Sequence, residues 1–185
     1  MHGITVLENK KILDIECGGG RELVTLIRYG ARPENLFGID LLQSRIDNAR
    51  QINPHIDFRC GDAASLPYGD DSFDIVLQFT VFTSILETRM KRDIAREMLR
   101  ILNPAGIILW YDYHMNNPKN SDVRGVKKKE IHELFPGCEI HLKRITLAPP
   151  LVRLIAPYSW IACYLLEKLN VFNTHYLGVI KKVHR

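Results

Sequence analysis

The chain has 185 residues, 46% of them hydrophobic, with a formal net charge of +4 and an isoelectric point near 8.9. That is enough apolar material for one globular domain over residues 1–185, and the mild charge permits nucleic acid without requiring it. Cys17, Cys60, Cys138 and Cys163 form no CxxC pair, which argues against a disulfide frame or zinc site and for a reduced, cytoplasmic protein.

Apolar runs alternate with helical patterns, the signature of a doubly wound α/β domain with a mostly parallel sheet. Lys11–Ile15 reads as the first strand, and 22–29 as a helix with Leu23, Leu26 and Ile27 on one face. A second strand over 35–39 ends at Asp40, and Ser44 is placed to cap the next helix, which stops at Pro54. Strands over 56–59 and 73–77 follow. Helix 88–102 sets Met90, Ile94, Met98 and Ile101 at core spacing, and Asn103-Pro104-Ala105-Gly106 turns into strand 107–113. Helix 126–135 and strand 139–145 come next. An apolar helical insertion over 147–170, opened by Pro149-Pro150, precedes a last strand at 175–183. The sheet is expected to have seven strands. The N-terminus lacks a basic-then-apolar leader pattern. The longest uncharged stretch, 154–166, contains Pro157 and is shorter than the ~20 residues of a spanning helix, so no transmembrane anchor is expected.

In such sheets ligands bind at the carboxyl ends of the strands. Asp14, Glu16, Asp40 and Asp62 fall at or near those ends, and Gly18-Gly19-Gly20 lets a ligand approach the backbone at the start of a helix. A dinucleotide site wants GxGxxG, but Leu23 stands where the last glycine would fall, and the acids would repel a pyrophosphate. A cofactor without phosphates and with positive charge, S-adenosylmethionine (SAM), suits the acids better than NAD.

Five segments in order carry a resemblance: Ile12-Leu13-Asp14-Ile15-Glu16-Cys17-Gly18-Gly19-Gly20, Phe37-Gly38-Ile39-Asp40, Cys60-Gly61-Asp62-Ala63 with Leu66-Pro67, Asp71-Ser72-Phe73-Asp74-Ile75-Val76, and Glu97-Met98-Leu99-Arg100-Ile101-Leu102-Asn103-Pro104-Ala105-Gly106. Over residues 11–113 the chain resembles the class I SAM-dependent methyltransferases, in the small ubiquinone-biosynthesis-like (methyltransferase type 11) subgroup. The resemblance implies a Rossmann-like seven-stranded sheet whose last strand is antiparallel, and that Asp14 and the loop of Gly18 and Gly20 hold the methionine end of SAM. Asp40 would take the ribose hydroxyls, with Leu41 against the adenine. Asp62 would meet the adenine amino group beside Ala63, and Gln78 and Phe79 would close over the methionine moiety. For Ala63 and Phe79, ordinary packing is an equal alternative.

Glu16 departs from the family pattern, which has glycine there. A positive φ at that position would strain a glutamate, and weakened SAM binding is the expectation. Only ten residues precede the first strand, where relatives carry a covering helix, which makes the 147–170 insertion a candidate cover, with core packing or a homodimer contact as alternatives. Its Tyr158, Trp160 and Tyr164 suit an apolar acceptor or a peripheral membrane contact as well as burial. Methyl transfer is an in-line displacement that needs a base only where the acceptor must lose a proton. The catalytic candidates are His114, as a general base, with Asp112 and His175; no metal is assigned. The acceptor is expected to be a small or lipid-like molecule, methylated on oxygen or carbon. Two alternatives stay open: a non-catalytic partner protein of the same fold, and an RNA methyltransferase.

Overall fold

The computed structural model describes residues 6–116 and 120–183. Seven strands form one sheet: β1 Ile12–Ile15, β2 Leu36–Asp40, β3 Asp57–Cys60, β4 Phe73–Phe79, β5 Leu102–Tyr113, β6 Cys138–Leu147 and β7 Asn173–Lys182. Their order is β3-β2-β1-β4-β5-β7-β6. The first five are parallel, and β7 enters antiparallel between β5 and β6. The doubly wound architecture is as the alternation of apolar runs indicated, and the antiparallel last strand is as the family resemblance implied.

The central strands are apolar on both sides because helices cover both faces. Leu13 and Ile15 of β1 and Ile108 and Trp110 of β5 join a core with α3 (Thr88–Ile101) and α4 (Lys128–Leu134). Ile12 and Ile107, of opposite parity on the same strands, join a second core with α1 (Arg21–Arg28) and α2 (Gln43–Ile52).

Four local expectations are corrected. Ser44 lies inside the first turn of α2 and caps nothing; the strand-end carboxylate of Asp40 takes the Leu42 N–H at 2.9 Å instead. The Asn103–Gly106 run does not precede the strand but bulges within it: Leu102 leaves α3 in extended geometry opposite Phe73, and regular pairing resumes with Ile107 opposite Ile75. The Asp74 carboxylate holds it there, accepting from Asn103 Nδ2 and the Lys11 N–H at 2.9 Å each. Helix 126–135 is shorter, as α4, and strand 139–145 is longer, as β6.

The insertion consists of two short helices, α5 (Pro149–Ile155) and α6 (Trp160–Lys168), with no fully buried residue in either. The Ser159 hydroxyl caps α6 by accepting from the Ala162 N–H at 3.2 Å. The Ala148 N–H donates to the Phe172 carbonyl at 2.9 Å, which closes the excursion where it leaves β6 and enters β7. Among the described residues no helix is long and apolar enough to cross a membrane.

Candidate functional site

The loop between β1 and α1 is built on two left-handed glycines, Gly18 at φ 54° and Gly20 at φ 75°. Asp40 fastens it to β2: Oδ2 accepts from the Gly18 N–H at 2.9 Å and from Arg45 Nη1 at 3.3 Å, while Oδ1 holds Leu42. Asp40 is 0% exposed. Both its oxygens are therefore spent inside the protein. A side chain on Gly20 would collide with the Phe58 ring, and one on Gly38 would come within 2.6 Å of it, so the loop sits tightly against β3.

Glu16 adopts φ 56°, the left-handed region that the missing glycine would favour. Its half-buried carboxyl is pushed up to about 7, first by burial and then by the Asp40 charge. The Leu41 N–H donates to it and Arg45 also opposes the rise, which places the side chain toward the end of β2. Leu41 is exposed beside it. Asp62, at the end of β3, is exposed and accepts from the Ala64 N–H at 2.8 Å, and Ala63 is buried.

Among the polar groups that accept no hydrogen bond are two near the ends of β1 and β4. Asp14 is buried at the end of β1 and accepts no hydrogen bond among the described residues; burial, then the charges of Glu22 and Asp40, raise its pKa well above the carboxylate range. Gln78, paired with Ile15 across the sheet, donates from Nε2 to Asp112 at 3.0 Å and leaves its buried Oε1 unpartnered. Unmet acceptors of this kind are costly in a fold unless a ligand completes them. A donor-rich cation fits both, and nothing lies within 4 Å of where a side chain on Gly18 would be. The group therefore suits SAM, whose ammonium and sulfonium are positive, and not a pyrophosphate.

The three catalytic candidates come together at the ends of β5 and β7. Asp112 accepts from the Thr83 hydroxyl, from Gln78, and from the Tyr113 N–H at 2.8 Å. His114 Nε2 contacts the Asn173 carbonyl at 2.8 Å, and burial lowers its pKa. His175 lies parallel to the Tyr111 ring at 4.5 Å and against Tyr113 at 3.8 Å; burial, then the charge of His114, brings its pKa to about 4. Phe79, half-buried, meets the other edge of Tyr111.

In front of these residues opens a cavity of about 750 Å³, lined by Thr80, Thr83 and Tyr113 on one side and by Ala148, Pro149 and Arg153 at the start of the insertion on the other. Thr80 and Thr146, at the ends of β4 and β6, join Glu16 in holding positive φ. Such strain is often kept where a site needs it. Thr80, Thr83 and Arg45 escaped the sequence reading, because nothing in their local pattern marks a threonine or arginine as facing a ligand. Among the described residues no group of three or more His, Cys, Asp or Glu could hold a metal.

A methyltransferase-domain family model matches residues 12–106, the segment that carries the loop, the strand-end acids and the helix α3. The chain is 33% identical over 144 residues to phthiotriol/phenolphthiotriol dimycocerosates methyltransferase 1 of Mycobacterium ulcerans, covering 72% of this chain and 52% of that protein. It is 33% identical over 105 residues to the ubiquinone biosynthesis O-methyltransferase of Bartonella tribocorum, covering 55% and 40%. The chain thus spans about half or less of these relatives' length. A SAM-dependent methyltransferase from Methanosarcina mazei superposes with a TM-score of 0.68 at 17% identity, over 96% of this chain and 94% of that one, a likeness of fold. Sheet order, loop and family match agree: the chain belongs to the methyltransferase-domain family, with the class I SAM-dependent fold.

Proposed function

We propose that this protein transfers a methyl group from SAM to an apolar, lipid-like acceptor held in the cavity beneath α5. The observation that carries the reading is that cavity, which opens at the ends of β4 and β5 between the cofactor-side strands and the insertion. The names of the two relatives, a phthiotriol/phenolphthiotriol dimycocerosates methyltransferase and a ubiquinone biosynthesis O-methyltransferase, support an apolar substrate, and the second supports methylation on oxygen.

SAM supplies a methyl group already activated on a sulfonium. The chain's own work is to bind and orient. Asp14 and the unpartnered Gln78 Oε1 take the ammonium, and the open face of Gly18 admits the methionine backbone. The ribose diol falls to Glu16, since Asp40 is enclosed and fully used in holding the loop. This moves the ribose role one loop back from where the family resemblance put it. Leu41 and the Asp62–Ala63 turn bracket the adenine.

Asp112 and His175 act as positioning residues. Asp112 fixes the Thr83 hydroxyl at the cavity wall, and His175, held neutral near pH 7, buttresses Tyr113 and contacts the Thr174 hydroxyl at 3.0 Å. His114 ties β5 to β7 through Asn173. Rate acceleration then rests on alignment and on exclusion of water, not on a strong base.

The test is a calorimetric titration with SAM, followed by methyl-labelled SAM with long-chain catechols and phenols. Label should pass to the organic phase, and Ala148→Trp, which fills the cavity, should raise KM for the acceptor at least tenfold while sparing SAM affinity. Absence of SAM binding at millimolar cofactor would overturn the reading.

A further inference from the structure

The surface of the insertion is inverted. Trp160, Ile161, Tyr164, Leu165 and Leu169 follow the spacing of one helix face, and that face looks outward, with exposures of 51–72%. Leu154 and Tyr158 before it and Val171 and Phe172 after it are exposed as well. A helix on an ordinary water-facing surface would show polar residues there, and clustered exposed apolar side chains mark an interaction surface.

Charge identifies the partner. Residues 141–185 hold seven lysines and arginines and one acid, Glu167, whereas residues 1–140 hold eighteen basic residues and twenty acids. Glu167 is half-buried and accepts the Thr146 N–H at 2.9 Å. Lys143, Arg144, Arg153 and Lys168, all exposed, stand on or beside the insertion, and none makes an ion pair among the described residues. Lys168 lies over the Tyr164 ring at 5.0 Å. Two aromatic residue types that favour the membrane interface, an aliphatic face and uncompensated cations are what a negatively charged bilayer surface binds.

We propose that α5 and α6 dock the protein on an anionic phospholipid bilayer, embedding Trp160, Ile161 and Leu165 among the headgroups. Arg153 both lines the cavity and belongs to this basic set. A lipid-like acceptor would then reach the cavity from the membrane side; that last point alone rests on the function proposed above.

Only two tryptophans are present, Trp110, fully buried, and Trp160, 72% exposed. Vesicles of phosphatidylcholine with 30% phosphatidylglycerol, and vesicles of phosphatidylcholine alone, are added to the full chain without cofactor or acceptor. Expected are co-sedimentation with the anionic vesicles, quenching of Trp160 by lipids brominated near the headgroup, and a fall of about fivefold in partitioning for each of Arg153→Ala and Lys168→Ala. Trp160→Ser/Leu165→Ser should cut partitioning at least tenfold while SAM affinity, measured separately, stays unchanged. A protein that stays in the supernatant with both vesicles overturns the proposal. So does a concentration-dependent dimer by sedimentation velocity that the same double variant abolishes, since a second copy would then cover the face. Loss of SAM binding in the unaltered protein would instead strike the methyl-transfer reading and leave the vesicle result standing.

Discussion

Asp40 Oδ2 accepts the Gly18 N–H at 2.9 Å across twenty-two positions, and together with the Cys17 N–H donating to the Ile39 carbonyl at 3.0 Å this bond ties the end of β2 to the loop after β1. Replacing Asp40 by alanine would leave the Gly18 and Leu42 N–H groups without their partner. Both donors are only partly buried, and each loses a hydrogen bond to a carboxylate worth about 1.5–3 kcal/mol. Asp40→Ala is therefore expected to lose roughly 2–5 kcal/mol in urea unfolding and to weaken SAM binding more than tenfold in calorimetry. Asp40→Asn, which keeps the shape but cannot satisfy all three donors, should fall between.

Glu16→Gly separates stability from binding. Glycine removes the left-handed strain, worth about 1–2 kcal/mol, and the melting temperature should rise. The same change removes the acid assigned to the ribose, so SAM affinity should drop about tenfold. A variant that gains both stability and affinity would show that Glu16 only obstructs the site.

Protonation of Glu16 and Asp14 sets a pH dependence with a definite sign. Both carboxyls are raised in the fold, Glu16 to about 7. Such groups favour the fold while protonated. Stability of the ligand-free protein should thus decline as pH rises from the ordinary carboxylate range toward 7, and Glu16→Gln should flatten part of that decline. The cationic cofactor reverses the preference. SAM affinity should increase between pH 6 and pH 8, with protons released on binding, seen as a buffer-dependent calorimetric enthalpy.

Arg100→Ala should detach the loop after β3. The guanidinium donates to the carbonyls of Tyr68 at 2.8 Å and Leu66 at 3.1 Å, and pairs with Glu97 and Asp70 at 2.8 Å each. Glu97 in turn accepts the Leu66 N–H at 2.8 Å. Arg100 is partly exposed, so the loss is expected to be about 2 kcal/mol by denaturant unfolding, with proteolysis appearing first near Pro67.

These last contacts explain what was legible from sequence and what was not. The Leu66-Pro67 and Glu97–Arg100 segments were recognisable as paired motifs, but only the fold shows that one binds the other's backbone. The strands and the acids at their ends follow from periodicity and spacing; the order of the strands in the sheet is seen only in the fold. The exposed outer face of α6 does not, because an apolar helix looks the same in sequence whether it faces a core or the surroundings. The family resemblance implies a ribose role for Asp40; that its two oxygens also accept from the Gly18 and Leu42 N–H groups and from Arg45 is visible only in the fold. Lys91, fully buried and paired with Glu130 at 2.8 Å, is another case: its partner lies on α4, thirty-nine residues on.

Phe58 has a reach beyond its own strand. Its ring occupies the space that side chains at both Gly20 and Gly38 would need. The three positions consequently form one steric unit, in which the residue on β3 sets the smallest backbone separation the other two can tolerate. At Gly38 the Cys17 sulfur would also stand 2.8 Å from an added side chain, so an alanine there needs room from two neighbours at once, and shrinking Phe58 alone is not expected to rescue it.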